Sequence, residues 1–198
     1  MAVSIDDIRK LKELTGVGLT DAKVALVEAD GDFDKALDAM RKKGLTKAEK
    51  KADREAREGV IDSYVHGGRI GVLVEVNCET DFVARTDGFK EFAHFISLQV
   101  ASMSPTYVSE ADIPAEELER VRTEAIESGA AEGKPADIAE KIIDGQVKKY
   151  FAEKVLLNQQ YIMDDSMTVG TFLKENIGKM GENIVIRRFK RIELGVND

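Results

Sequence analysis

Cysteine is almost absent: Cys78 is the only one in 198 residues. One thiol cannot close an internal disulfide and cannot build a multi-cysteine zinc cluster. Histidine is nearly as scarce. His66 and His94 are the only two, and neither stands near other ligands at metal-binding spacing. No metal or other cofactor is expected. Tryptophan is missing, aromatics make up 6% of the chain, and there are three prolines. No apolar run approaches the roughly 18 residues that a bilayer-spanning helix needs. Residues 1–30 are charged throughout and lack the apolar stretch of a signal peptide. These absences lead to the expectation of a cytoplasmic protein with no membrane partner.

What is present is a globular composition, with 43% hydrophobic and 33% charged residues. A chain of this length and content can bury a core without covalent staples. The net charge of −8 argues against wholesale wrapping of nucleic acid and for a protein partner.

Three short helices are expected over residues 4–14, 20–29 and 32–43. Ser4 stands at capping-box spacing from Asp7, and Ile5, Ile8, Leu11 and Leu14 recur at helical spacing. Thr15-Gly16-Val17-Gly18 breaks the pattern. Thr20 can cap the second helix, which buries either Ala22, Leu26 and Ala29 or Val24, Ala25 and Val27. Asp32 can cap the third, with Phe33, Ala36, Leu37 and Met40 inward and Gly44 at its end. Residues 46–58 carry opposite charges four apart, as in Lys51/Glu55 and Asp53/Arg57, and read as an exposed linker helix. Strands are expected at 60–66 and 70–78 around a Gly67-Gly68 turn. Helices follow at 82–102, 114–128, 135–157 and 168–180. A last strand runs over 183–194, in which Arg187 and Arg188 should point to opposite faces. The fold class is α+β: a three-helix bundle similar to ubiquitin-associated domains (1–45), a charged linker helix (46–58), and a core (59–198) with a small antiparallel sheet covered by helices.

Three stretches carry a resemblance. Leu11-Lys-Glu-Leu-Thr-Gly-Val-Gly-Leu-Thr-Asp-Ala-Lys-Val-Ala-Leu26, Val76-Asn-Cys-Glu-Thr-Asp-Phe-Val-Ala-Arg85 and Gly181-Glu-Asn-Ile-Val-Ile-Arg-Arg188 are similar, in order and spacing, to the signatures of the elongation factor Ts family. The likeness spans nearly the whole chain. Lys12 and Thr20 stand where the family usually carries Arg and Met, and Val24 where it carries a polar or basic residue.

The middle stretch lies at a strand-to-helix turn. Read locally, Thr80 or Asp81 caps the helix, Phe82 packs as a hydrophobic staple, and Arg85 is a solvated first-turn residue. The resemblance implies something further. Thr80, Asp81, Phe82 and Val83 would contact elongation factor Tu, with Asp81 and Phe82 reaching its magnesium and phosphate sites to promote GDP release. It also implies a second contact through the bundle, at a surface of Leu11, Lys12, Val17, Gly18 and Leu19. Longer members carry two versions of the core, which implies that this shorter chain acts as a homodimer.

Two other function classes set the alternatives. A nucleic-acid binder would use the basic stretch Arg41 to Arg57, which lacks interleaved aromatics. An enzyme would need a nucleophile or a phosphate loop. No serine or cysteine is recognisably placed for a triad, and Gly16-Val17-Gly18 is too short for a phosphate loop. No catalytic residue is assigned.

Overall fold

The computed structural model describes residues 3–15 and 17–196; Gly16, in the first expected loop, lies outside them. The bundle forms from α1 (Ile5–Thr15), α2 (Leu19–Glu28) and α3 (Phe33–Glu49). The Asp6 amide donates to Ser4 Oγ at 3.2 Å, and the Lys35 amide donates to Asp32 Oδ1 at 3.1 Å. These are the two caps expected from sequence. The α2 cap differs. Gly18 is extended and takes the N-cap position without a side-chain bond, so Thr20 falls inside the first turn. The buried face of α2 is Ala22, Ala25 and Leu26, which meet Leu11, Ala36 and Met40 in a core of their own. Val24 and Val27 remain exposed.

The end of α3 departs most from expectation. Gly44 does not terminate it; the helix runs on to Glu49. The expected linker helix over 46–58 is therefore absent beyond Glu49, and residues 50–57 are turn and irregular chain. Ala48 explains the difference, because it is buried in the main core. Here α3 packs on a later helix with Gly44 facing Gly178: a Cβ added at Gly178 would stand 3.5 Å from the Gly44 Cα, in ordinary contact. An Arg41–Glu175 ion pair at 3.2 Å lies on the same two helices.

The main sheet has β1 (Glu58–His66), β2 (Ile70–Cys78) and β5 (Ile184–Glu193), with β2 central and both pairings antiparallel. His66 pairs with Ile70 across the three-residue loop Gly67-Gly68-Arg69, in which both glycines have positive φ. Val72, Val74, Val76 and Cys78 form the buried face of β2, opposite Arg191, Phe189, Ile186 and Ile184 of β5. The expected alternation through β5 fails at Arg187. A bulge opposite Glu75 and Val76 leaves Arg187 unpaired, so Ile186 and Phe189 share the inner face while Arg187 and Arg188 are both exposed.

The expected helix over 82–102 is two helices, α4 (Asp81–Ala84) and α5 (Asp87–Met103). Thr86 divides them, its Oγ1 accepting from the Phe89 amide at 3.3 Å. From α5, Phe89, Phe92, Ala93, Ile96 and Val100 cover the sheet. The chain then leaves as an antiparallel pair, α6 (Ala115–Glu127) and α7 (Ala136–Ala152). Val121, Phe151 and Val155 pack at its base. A short hairpin follows that the sequence did not reveal, β3 (Gln160–Tyr161) with β4 (Asp164–Thr168). Thr168 caps α8 (Val169–Met180), and Gly181, at φ 78°, ends it and turns the chain into β5.

Gly59 decides how closely β1 can lie on β2. Its φ is 152°, and an added Cβ would sit 2.0 Å from the Val76 carbonyl oxygen. Gly59→Ala should therefore cost at least about 2 kcal/mol in urea unfolding, by backbone strain and displacement of β1. A loss below half that would refute the close approach.

Candidate functional site

Strand β2 delivers Cys78 to the core and then stops. Residues 79–85 turn over the end of the sheet into α4. A four-residue helix has too few internal hydrogen bonds to hold itself, so its shape depends on bonds from elsewhere. They come from the turn between α8 and β5. The Glu182 carboxylate accepts from the Glu79 amide at 3.1 Å, the Thr80 amide at 3.0 Å and Thr80 Oγ1 at 2.6 Å. Glu79 reciprocates, its Oε1 accepting from the Asn183 amide at 2.6 Å. Thr80 Oγ1 also accepts from the Val83 amide at 3.5 Å, as the N-cap of α4.

A third segment ties into the same place. The Asn183 side-chain amide donates to the carbonyls of Ala52 and Arg54. Lys51 donates to the Gly181 carbonyl, and Arg54 lies 3.5 Å from Glu79. The chain leaving the bundle is thus bound to the turn that holds residues 79 and 80.

Phe82 points away from all of this. It is 80% exposed, which overturns its expected packing as a staple. Asp81 and Arg85 form an ion pair at 2.8 Å, so Arg85 is not simply solvated. Val83 is half-buried and Ala84 is buried against the sheet. The four expected residues therefore divide. Thr80 and Val83 anchor the turn, while Asp81 and Phe82 stand at its surface.

The bundle residues also divide. Lys12, Gly18 and Leu19 are exposed and Val17 is half-buried. Leu11 is fully buried in the bundle core, so its expected place on the surface is corrected. An apolar side chain at the centre of three helices cannot also meet a partner. Glu79, Glu182 and Asn183, which stand inside two of the quoted motifs, were missed as residues that hold the turn. The signal available was their position: polar residues flanking the strand ends that converge in the sheet.

The remaining candidates are structural. His94 Nδ1 lies 3.3 Å from Asp62, and His66 Nδ1 lies 2.9 Å from the Tyr64 hydroxyl. Among the described residues no group of His, Cys, Asp or Glu could hold a metal ion, and no helix is long and apolar enough to cross a membrane. Within the basic stretch Arg41, Arg54 and Arg57 each face a carboxylate.

A clamped turn with an exposed aromatic stands on an α+β core beside a three-helix bundle. Residues 45–177 match the family model described as Elongation factor TS. Elongation factor Ts of Thermoanaerobacter sp. (strain X514) is 50% identical over 194 residues, covering 98% of this chain and 95% of that protein. Elongation factor Ts of Caldanaerobacter subterraneus subsp. tengcongensis is also 50% identical, over 98% of this chain and 97% of its own. That of Herpetosiphon aurantiacus is 46% identical over the full length of both. The chain belongs to the elongation factor Ts family, the translation elongation factors of that name.

The exposure of Phe82 and the burial of Cys78 set two outcomes. Phe82→Ala should leave the unfolding free energy within about 0.5 kcal/mol of wild type, because an exposed side chain contributes little to the fold. A larger loss would mean that Phe82 packs on the chain. Cys78 is fully buried. Burial first, and then the Glu182 charge, push its thiol from the ordinary 9.0 up to about 11. A raised folded value gives stability that is present below pH 9 and lost as pH rises towards 11. Relative to Cys78→Ala, the wild type should lose about 2 kcal/mol across that window. Parallel curves would contradict it.

Proposed function

We infer that the chain is a guanine nucleotide exchange factor for elongation factor Tu, acting in the cytoplasm during translation elongation. The observation that carries this reading is Phe82, an aromatic side chain held in solvent on a turn that is itself tied down. A large rigid side chain of this kind suits a receiving pocket on a partner. Its neighbour Asp81 is held only by an exposed ion pair with Arg85. Such pairs are worth about 0–1 kcal/mol, so a partner can take Asp81 over at little cost.

Asp81 and Phe82 enter the GTPase near its magnesium and phosphate sites. Mg²⁺ demands near-octahedral oxygen geometry, and a small displacement of its ligands weakens it sharply. The diphosphate then loses charge compensation and GDP leaves faster. No bond is made or broken in this protein, so it is not an enzyme. Linkage makes the effect reciprocal: as the factor weakens GDP binding, GDP weakens binding of the factor by the same ratio. Incoming GTP displaces the factor, and nucleotide concentrations set the direction of flow. Lys12, Val17, Gly18 and Leu19 supply a second contact from the bundle, with Leu11 supporting them from inside.

The protein acts as a homodimer with two GTPases. Supporting this, the outer face of the sheet carries Ile61 and Ile192, at 70% and 66% exposure, together with Val65 and Leu73. Sedimentation at micromolar concentration should give twice the chain mass; a monomer that still exchanges nucleotide would remove the dimer.

Release of labelled GDP from elongation factor Tu tests the main reading. Wild type should accelerate it, and Phe82→Ala and Asp81→Ala should each lower the acceleration by about tenfold or more. Full activity in both variants would end the wedge role.

A further inference from the structure

We propose that Glu182 is a positioning residue for nucleotide exchange, fixing the backbone that carries Asp81 and Phe82. The proposal rests on the exchange reading above and adds a residue to it.

Phe82 is almost free of neighbours. A side chain that little else touches is placed by its backbone alone. That backbone is fixed on one side by Ala84, buried against the sheet. On the other side it is fixed by one carboxylate. Glu182 Oε2 takes both the Glu79 and the Thr80 amides, and Oε1 takes the Thr80 hydroxyl. The third bond sets a direction. With its proton given to Glu182, Thr80 Oγ1 offers only lone pairs to the helix, which is what the Val83 amide requires. Glu182 thus both holds the turn and orients the cap that starts α4. It arrives from far along the chain, on the Gly181–Asn183 turn, to which Lys51 and the Ala52 and Arg54 carbonyls are also bonded. The chain leaving the bundle and the exposed aromatic are therefore held from a common point.

Glutamine at this position would keep one acceptor oxygen for the two amides. It would also set an NH₂ group against the Thr80 hydroxyl. That hydroxyl would then have to accept from the glutamine as well as from the Val83 amide, and its own proton would lose the carboxylate acceptor. Alanine removes all three bonds.

Two measurements on the full-length protein test this. The first is amide hydrogen exchange in the free protein. In Glu182→Ala the Glu79 and Thr80 amides should exchange about tenfold faster or more, while those of Val74 and Val76 keep wild-type rates. The second is stimulated GDP release from elongation factor Tu at a temperature where both proteins are folded. The maximal rate should fall about tenfold, with the half-saturating concentration changed by less than about threefold, because the bundle contact is untouched. Glu182→Gln should lie between the two in both measurements. Unchanged exchange at Glu79 and Thr80 would overturn the proposal, and so would faster exchange there with an unchanged maximal rate. If alanine also loosens Val74 and Val76, Glu182→Gln decides by the same two criteria. Phe82→Ala is measured alongside. Should it and Asp81→Ala both be fully active, the wedge role falls, and the hold of Glu182 on the turn is judged by amide exchange alone.

Discussion

Two glutamates exchange hydrogen bonds across the end of the sheet, and the arrangement of the rest follows from them. Glu79 leaves β2 and receives the Asn183 amide; Glu182 precedes β5 and receives the Glu79 and Thr80 amides. Backbone donors at strand ends and helix starts have no regular partners. Meeting them with carboxylates gives charge-assisted bonds, which are shorter and stronger than neutral ones. The geometry of a solvent-facing turn is thereby set from inside the molecule rather than by the side chains it displays. Asp81 and Phe82 are left free to meet something else.

Much of the fold was legible in sequence because its periodicities are local. The caps at Ser4 and Asp32, the glycine pair of the β1–β2 hairpin and the inward valines of β2 all depend on neighbours a few residues away. The misreadings share a physical cause. Gly44 looked like a helix end, because glycine usually is one when helical pattern stops. Its real environment is Gly178, more than a hundred residues later, and that contact carries no local sign. Thr20 looked like a cap until Gly18 took the position first. The short β3–β4 hairpin lacked the length to show an alternation. Of the candidate site, Thr80, Asp81, Phe82 and Val83 were legible in sequence, whereas Glu79, Glu182 and Asn183, which tie the turn down, were not. Whether Phe82 packs inward or faces water depends on what stands opposite. Leu11 was misplaced for the converse reason: a motif marks a stretch without saying which of its residues are inside.

The joint between bundle and core has the same character. Its parts are a glycine contact, the Arg41–Glu175 pair and the bonds from residues 51–54 to the Gly181–Asn183 turn. Each is modest. The Arg41–Glu175 pair joins the two helices, and a close helix crossing contributes mainly dispersion. Together they act on one helix, α3, which begins in the core of the bundle and ends with Ala48 in the core of the sheet. A helix shared by two cores resists bending better than a linker, so the bundle surface and the Phe82 turn keep a defined spacing.

The bulge at Arg187 has a consequence for the life of the protein in a crowded solution. A three-stranded sheet has two open margins, and β5 is one of them. A straight strand there would offer a ladder of unpaired amides and carbonyls to any other extended chain, which is a route to aggregation. The extra residue, Arg187, interrupts that ladder, and the exposed Arg188 and Lys190 follow it. A foreign strand attempting to add there would meet a broken register and charged side chains. The irregularity that spoiled the alternation of β5 therefore keeps the sheet at three strands.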